Sequence, residues 1–424
     1  MDLKTLGRLR TPEGISALRE AAGLAGADPL SAAGKLRSHG YDPALAAAAL
    51  TQAVLRARAA AKFGPDAELL FFTRAGLEQA TRAVVARRRA RRLEAHLRGA
   101  PAAGTNVVRG SAVGADGPLV ADLGCGVGAD TLAFAAAGLR VFAVDSDPVT
   151  ARVAAANAEA LGLAGRIDVR WADAASVDLS DVDAVFCDPA RRSATGTGRR
   201  VFDPRAFSPP WSFLLDLVRR VPATVLKLAP GLDHALIPAG AEAEWVSVNG
   251  DLVEATVWCG PLATVDRRAT VLRRDRDGTG DGIDGGAELT GTGAASAPVA
   301  ERRAFLVDPD GAVVRAHLVA ELAAEIGGTL ADPQIAYLYT DKPVTTPFGR
   351  CLEVVEELPF GLKRLRAALR DRGIGVLEIK KRGVGLDPDQ LRRDLRLTGP
   401  RSATLVLTRV AGAPTALLCR DAVT

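Results

Sequence analysis

Cysteine and histidine are scarce in this chain, and what there is lies scattered. Its 424 residues include five cysteines (Cys125, Cys187, Cys259, Cys351 and Cys419) and four histidines (His39, His96, His234 and His317). No C-x-x-C pair is present, and a zinc site needs clustered Cys and His ligands. An odd, widely spaced set is not the disulfide framework of a small secreted domain either. The cysteines are therefore expected to be reduced and mostly buried, and no metal is expected. Long apolar runs are also missing: no stretch of about 18 apolar residues is free of charge, so no segment is expected to span a membrane. The amino-terminal MDLKTLGRLRTPEG lacks the apolar core and small-residue cleavage site of a signal peptide. The expected compartment is the cytoplasm.

A hydrophobic content of 48% with 25% charged residues describes a globular chain, and the length allows two or three domains. The charge is uneven: +8 over residues 1–100, −7 over 101–300 and +3 over 301–424. Such a pattern suits a polyanionic partner held at the edges of a site that is not itself basic. Ordinary surface variation accounts for it equally well.

Residues 1–100 read as helical. Thr11-Pro12, Asp28-Pro29 and Asp42-Pro43 each set a capping side chain before a proline at the first helical position. A last helix is expected over about 74–98, carrying RRRARR at 87–92, where Arg88, Arg91 and Arg92 share a face. Phosphate contact and a solvated helix face are both open for it. From 101 to 277, LVADL, RVFAVD, IDVRW, VDAVFCD and ATVLKLA read as five strands alternating with helices. Their continuous apolar character is that of a parallel sheet covered on both faces. Residues 278–298, rich in Gly, Ala, Ser and Thr, read as a flexible linker, and 299–424 as a small α+β domain.

The first strand ends in VADLGCGVGAD, residues 120–130, with Gly124, Gly126 and Gly128 alternating. Glycines between a strand and a helix let backbone amides and the helix dipole approach a ligand closely. The spacing is G-x-G-x-G, not the G-x-G-x-x-G of dinucleotide sites. Asp122 and Asp130 flank the loop, which disfavours a pyrophosphate and suits a ligand carrying an amine and a sulfonium. Asp145, ending the second strand 22 residues after Leu123, is placed for a ribose diol. Asp173, after the third strand, is placed for an adenine amine. In this order the three features resemble the class I S-adenosylmethionine-dependent methyltransferases. The resemblance implies S-adenosyl-L-methionine as cofactor, held by Asp122, Gly124, Gly126, Gly128, Asp145, Ser146 and Asp173.

The fourth strand ends in VDAVFCDPARRS. Amino-group methyltransferases carry Asp/Asn-Pro-Pro-aromatic here. The nitrogen they methylate is a weak nucleophile, so oxygen acceptors must align its N–H bonds for in-line attack. Asp188 and Pro189 match the first half of that motif. Ala190 and Arg191 depart from it, leaving Arg191 and Arg192 to stack on a base or hold a phosphate. Downstream, FSPPW (207–211) is not in the motif's place; Ser208 is expected to cap a helix starting at Pro209.

The D-P-A-R-R variant, FFTRAGLEQAT upstream and the small last domain resemble a narrower group. These are bacterial class I methyltransferases with a C-terminal THUMP-like domain, related to the RNA guanine-N2 (trimethylguanosine-synthase-type) enzymes. The resemblance implies a Rossmann-like methyltransferase sheet with an N-terminal helical region and a small C-terminal α+β domain. It also implies a segment closing over the cofactor, with Thr73, Gln79 and Thr81, and an RNA partner, tRNA or rRNA, for the last domain. There LEIKKRG sets Lys380, Lys381 and Arg382 at a strand end. The catalytic set is then Asp188, Pro189 and Arg191. A protein-amide or small-molecule methyltransferase, a nicotinamide-dependent oxidoreductase and a non-catalytic RNA-binding protein remain the competing readings.

Overall fold

The computed structural model describes residues 1–99, 117–191, 207–273 and 286–422. These fall into two compact units, one of residues 1–228, 233–241 and 257–263, the other of 229–232, 242–256 and 264–424.

The first unit opens with helices α1 (Leu3–Leu9), α2 (Pro12–Ala22), α3 (Pro29–Ser38) and α4 (Pro43–Phe63). The capping signals act as their chemistry dictates: Thr11 accepts from Gly14 N at 3.1 Å, Asp28 from Ser31 N at 2.9 Å and Asp42 from Ala44 N at 2.8 Å. The single helix expected over 74–98 is two, α5 (Arg74–Gln79) and α6 (Ala83–Leu97). The break has a visible cause. Lys62 Nζ, reaching from α4, donates to the carbonyls of Leu77, Glu78 and Ala80 at 2.7–2.9 Å and ends α5 there.

The chain then forms β1 (Leu119–Leu123), α7 (Ala129–Ala136), β2 (Arg140–Asp145), α8 (Pro148–Ala160), β3 (Ile167–Trp171) and β4 (Ala184–Cys187). A two-residue pair follows, β5 (Ala190–Arg191) with β6 (Phe207–Ser208), then α9 (Trp211–Arg220) and β7 (Thr224–Leu228). Helix α9 starts two residues later than Ser208 capping would place it, because Ser208 is engaged in the pair with Ala190 and Pro210 is the residue before the helix. Strands β7-β4-β1-β2-β3 stand side by side, every adjacent pair parallel. Their inward runs are almost wholly buried, as strands covered on both faces must be.

The second unit begins earlier than residue 299. Strand β8 (Glu242–Val248) pairs in parallel with β10 (Arg267–Leu272), and β9 (Asp251–Trp258) lies between them in the chain. The expected linker is only partly one: β11 (Ala287–Gly291) pairs antiparallel with β10, while 278–285 lie outside the described residues. Backbone pairing needs no apolar composition, only an unpaired strand edge to join. Next come β12 (Phe305–Pro309), α10 (Gly311–Arg315), α11 (Val319–Ile326), β13 (Thr329–Leu330), β14 (Leu338–Thr340), β15 (Gly349–Leu358), α12 (Leu362–Asp371), β16 (Ile374–Lys381), α13 (Pro388–Leu395), β17 (Arg401–Val410) and β18 (Ala413–Asp421). Helix α10 packs against β8 and β10, which is why those strands group with this unit. Its seven-stranded sheet runs β13-β14-β12-β15-β18-β17-β16. On it, Leu365 and Leu369 of α12 and Leu391 and Leu395 of α13 bury one apolar cluster with Leu377, Leu405 and Leu418. Among the described residues no helix is long and apolar enough to cross a membrane.

Candidate active site

From β1 the chain builds outward through β2 and β3, then returns to the other side of β1 as β4. The carboxyl ends of β1 and β4 therefore border a topological switch point, where open α/β sheets bind ligands. The glycine loop lies at that point. Gly124 N and Cys125 N both donate to Val144 O at 2.9 Å, which ties the loop to β2. Gly126 N donates to Asp145 Oδ2 at 3.0 Å and Asp147 N to Asp145 Oδ1 at 2.9 Å, so the acid ending β2 is held by both oxygens. Gly128, at φ +91°, is the residue from which α7 starts. A Cβ on Gly126 would meet nothing within 4 Å, so the loop faces open space there.

Asp122 is fully buried and takes a bond from Thr131 Oγ1 on Oδ2, but its buried Oδ1 has no partner. Burial first, then the charges of Asp130, Asp188 and Asp145, push its carboxyl up to about 8. Burial likewise raises Asp145. An orphaned buried carboxylate oxygen beside further acids is a seat for a cation.

Asp130 is not part of that seat. It is buried against Arg89 Nη1 and accepts from Thr81 Oγ1 at 2.6 Å, so its charge is met within the protein. Thr81 is thereby buried with its hydroxyl donated to Asp130. Thr73 caps α5, accepting from Gly76 N at 3.0 Å, and Gln79 is an exposed residue at the end of α5. The segment does lie against the loop. A Cβ on Gly76 would come within 2.5 Å of Val127 Cγ1. Asn157 of α8, which no motif or spacing singles out, donates to Phe71 O at 3.0 Å and Val127 O at 2.9 Å.

Asp173 is exposed and accepts from Ala175 N at 2.9 Å. Ser146 is exposed beside Trp171, whose Nε1 donates to Ser146 O at 3.0 Å. Both stand at the carboxyl ends of β2 and β3, where the nucleoside of a ligand on the loop would lie.

At the end of β4, Asp188 N donates to Leu123 O at 3.2 Å, and Pro189 is buried. The Asp188 carboxylate is half-buried and ion-paired through Oδ2 with Lys227 of β7. Burial raises its carboxyl and Lys227 opposes that rise. Lys227 is a candidate site residue that sequence reasoning missed, since a lone lysine in TVLKL carries no spacing signal. The role read for Arg191 rests on its side chain, which with Arg192 lies outside the described residues.

The RRRARR helix is not a solvated stripe throughout. Arg89 is buried against Asp130 and Phe186, and Arg92 lies 3.9 Å from the Trp258 ring centroid while donating to Leu262 O at 3.0 Å. In the second unit Lys380 and Arg382 are both held by Asp308, at 2.9 and 2.8 Å, while Lys381 is exposed. Four of the five cysteines are buried and all are free. Among the described residues no three His, Cys, Asp or Glu side chains are grouped to hold a metal.

Comparison with known proteins agrees with this geometry. Residues 120–198 match a methyltransferase domain, 349–421 a THUMP-like domain, and 2–59 a domain of unknown function. An uncharacterized S-adenosylmethionine-dependent methyltransferase of Mycobacterium tuberculosis H37Rv is 36% identical over 381 residues, 87% of this chain and 95% of its own. The protein of the same description from strain CDC 1551 matches to the same extent. The crystal structure of a candidate methyltransferase from Porphyromonas gingivalis W83 shares the fold at a TM-score of 0.69 and 20% identity, over 96% of this chain and 98% of its own. The residues present fit the cofactor of such enzymes: the orphaned Oδ1 of Asp122 suits an ammonium, and no protein atom within 4 Å of the Gly126 Cβ position bars a ligand's close approach. The chain belongs to the S-adenosylmethionine-dependent methyltransferases.

Proposed function

We propose that this methyltransferase acts on RNA and methylates a nucleobase nitrogen, an exocyclic amine of the guanine-N2 kind. S-adenosylmethionine, when bound, supplies an electrophilic methyl group on a sulfonium. In this reading the chain's own groups do the rest. Asp145 binds the ribose diol, Asp122 the ammonium and Asp173 the adenine amine, with Ser146 alongside. Asp188 and the backbone at Pro189 accept the N–H bonds of the acceptor and aim its nitrogen, which is the part of the barrier that positioning lowers. Arg191 would hold the base or its phosphate.

The observation that carries the reading is the Asp188 carboxylate at the switch point. It is held through Oδ2, and Oδ1 takes no hydrogen bond among the described residues. A carboxylate with one oxygen to spare is an acceptor for an amine proton. The RNA partner draws support from the THUMP-like match over 349–421 and from α12, which exposes Lys363, Arg364 and Arg370 while Leu365 and Leu369 are buried. Transfer of labelled methyl groups to total RNA from cells lacking this gene, followed by nucleoside mass spectrometry, tests it. An N-methylated base amine is expected. Label found only in protein would overturn the RNA reading.

A further inference from the structure

We propose that Lys227 is a positioning residue for the methyl transfer: its ammonium fixes the Asp188 carboxylate in orientation and keeps it charged, leaving one oxygen for the acceptor. The inference rests on the reading of Asp188 just given.

The pair is built by the sheet. Strands β4 and β7 are parallel with Cys187 opposite Leu226, so Asp188 and Lys227 are the next residues in register. Neighbours in register on adjacent strands have little freedom to part. Their side chains are only 31% and 13% exposed, unlike surface ion pairs, which contribute little.

A lysine here also needs a reason. The rest of TVLKL is buried, and the strand lies beside β4 inside the sheet. An apolar residue would ordinarily serve stability as well or better than a partly buried ion pair. What an apolar residue cannot do is hold a half-buried carboxylate ionised.

Several groups act on Asp188. Burial and Asp130 of α7 work against its charge, while Lys227 and Arg89 of α6 favour it. Arg89 is already bound to Asp130. Asp122 of β1 shares the same acidic surroundings. On the lysine's side, Lys62 of α4 stands within electrostatic reach and repels it. Among the described residues Lys227 is thus the cation in direct contact with the carboxylate. A protonated Asp188 would present a donor to the acceptor's N–H bonds and lose its aim.

The test uses full-length protein labelled with carboxyl-13C aspartate. The Asp188 resonance is assigned by its loss in Asp188→Asn and titrated by NMR. In Lys227→Met and Lys227→Gln the midpoint is expected to rise by about one pH unit or more, and Lys227→Arg to return it close to the wild-type value. S-adenosylhomocysteine affinity should stay within about threefold of wild type in all three, reporting an intact fold. In methyl transfer to RNA, Lys227→Met should lower kcat about tenfold or more at neutral pH and move the acid limb of the pH profile upward, with KM for the donor unchanged. Coincident Asp188 titrations in wild type and both neutral variants would overturn the proposal. Should wild type transfer nothing to RNA, the RNA reading fails while the titration still decides the role of Lys227.

Discussion

The backbone oxygen of Asp188 lies 2.8 Å from where a Cβ on Gly124 would begin. The end of β4 therefore closes on the glycine loop so tightly that the first glycine is a packing requirement of the protein. Gly126 differs, since nothing stands within 4 Å of its absent Cβ. Both have positive φ, +88° and +57°. Gly124→Ala should cost about 2–3 kcal/mol of stability, from the clash and the left-handed backbone together. Gly126→Ala should cost about 1 kcal/mol, for the backbone alone, while weakening S-adenosylhomocysteine binding about tenfold or more. Thermal melts and calorimetry on the two variants separate a glycine kept for the fold from one kept for the ligand.

Asp145→Ala should reduce S-adenosylhomocysteine affinity about 100-fold, since the ribose loses a charged acceptor and Gly126 N and Asp147 N lose theirs. Asp173→Ala, at an exposed residue, should cost about tenfold or less. Normal affinity in Asp145→Ala by calorimetry would remove the ribose assignment.

Donor binding should release a proton at neutral pH. Asp122, raised to about 8 by burial, is mostly protonated at pH 7 in the free protein. A ligand ammonium against its orphaned Oδ1 lowers that pKa and drives the proton off. Calorimetry in buffers of different ionisation enthalpy should show up to one proton released near pH 7, none near pH 10, and none at either pH in Asp122→Asn. The same shift fixes the sign for stability. A carboxyl whose folded pKa lies above its unfolded 3.8 destabilises the fold progressively between pH 4 and 8, as the unfolded chain ionises first. Ligand-free Asp122→Asn should therefore melt higher than wild type at pH 8, with the gain vanishing near pH 4.

Lys62 ends α5 by donating to three carbonyls, although burial pushes its ammonium down to about 8. Lys62→Met should cost about 1.5–3 kcal/mol and speed amide exchange in 74–82 more than in the sheet. Equal exchange in wild type and variant would show that this contact does not hold the segment.

What was legible in the sequence were features set by local spacing. The glycines at 124, 126 and 128, the acid ending β2 and the Asp-Pro caps each act within a turn or a strand end, and chain order alone brings them together. What was illegible depended on partners far along the chain. Asp130 reads as a ligand acid until Arg89, 41 residues earlier, is seen to meet it. The basic helix reads as a phosphate stripe or a solvated face until Trp258 and Phe186 are seen under two of its arginines. Ala287–Gly291 has a linker's composition and becomes a strand through the free edge of β10. Lys227 gains meaning only from its register with Asp188.

In the function proposed above, one crevice serves both the methyl donor and the acceptor amine. The most direct measurement pairs S-adenosylhomocysteine affinity with methyl transfer to unmodified RNA in wild type and Asp188→Ala. Affinity within about threefold of wild type and transfer reduced about 100-fold or more are predicted. Transfer at the wild-type rate in Asp188→Ala would contradict the account.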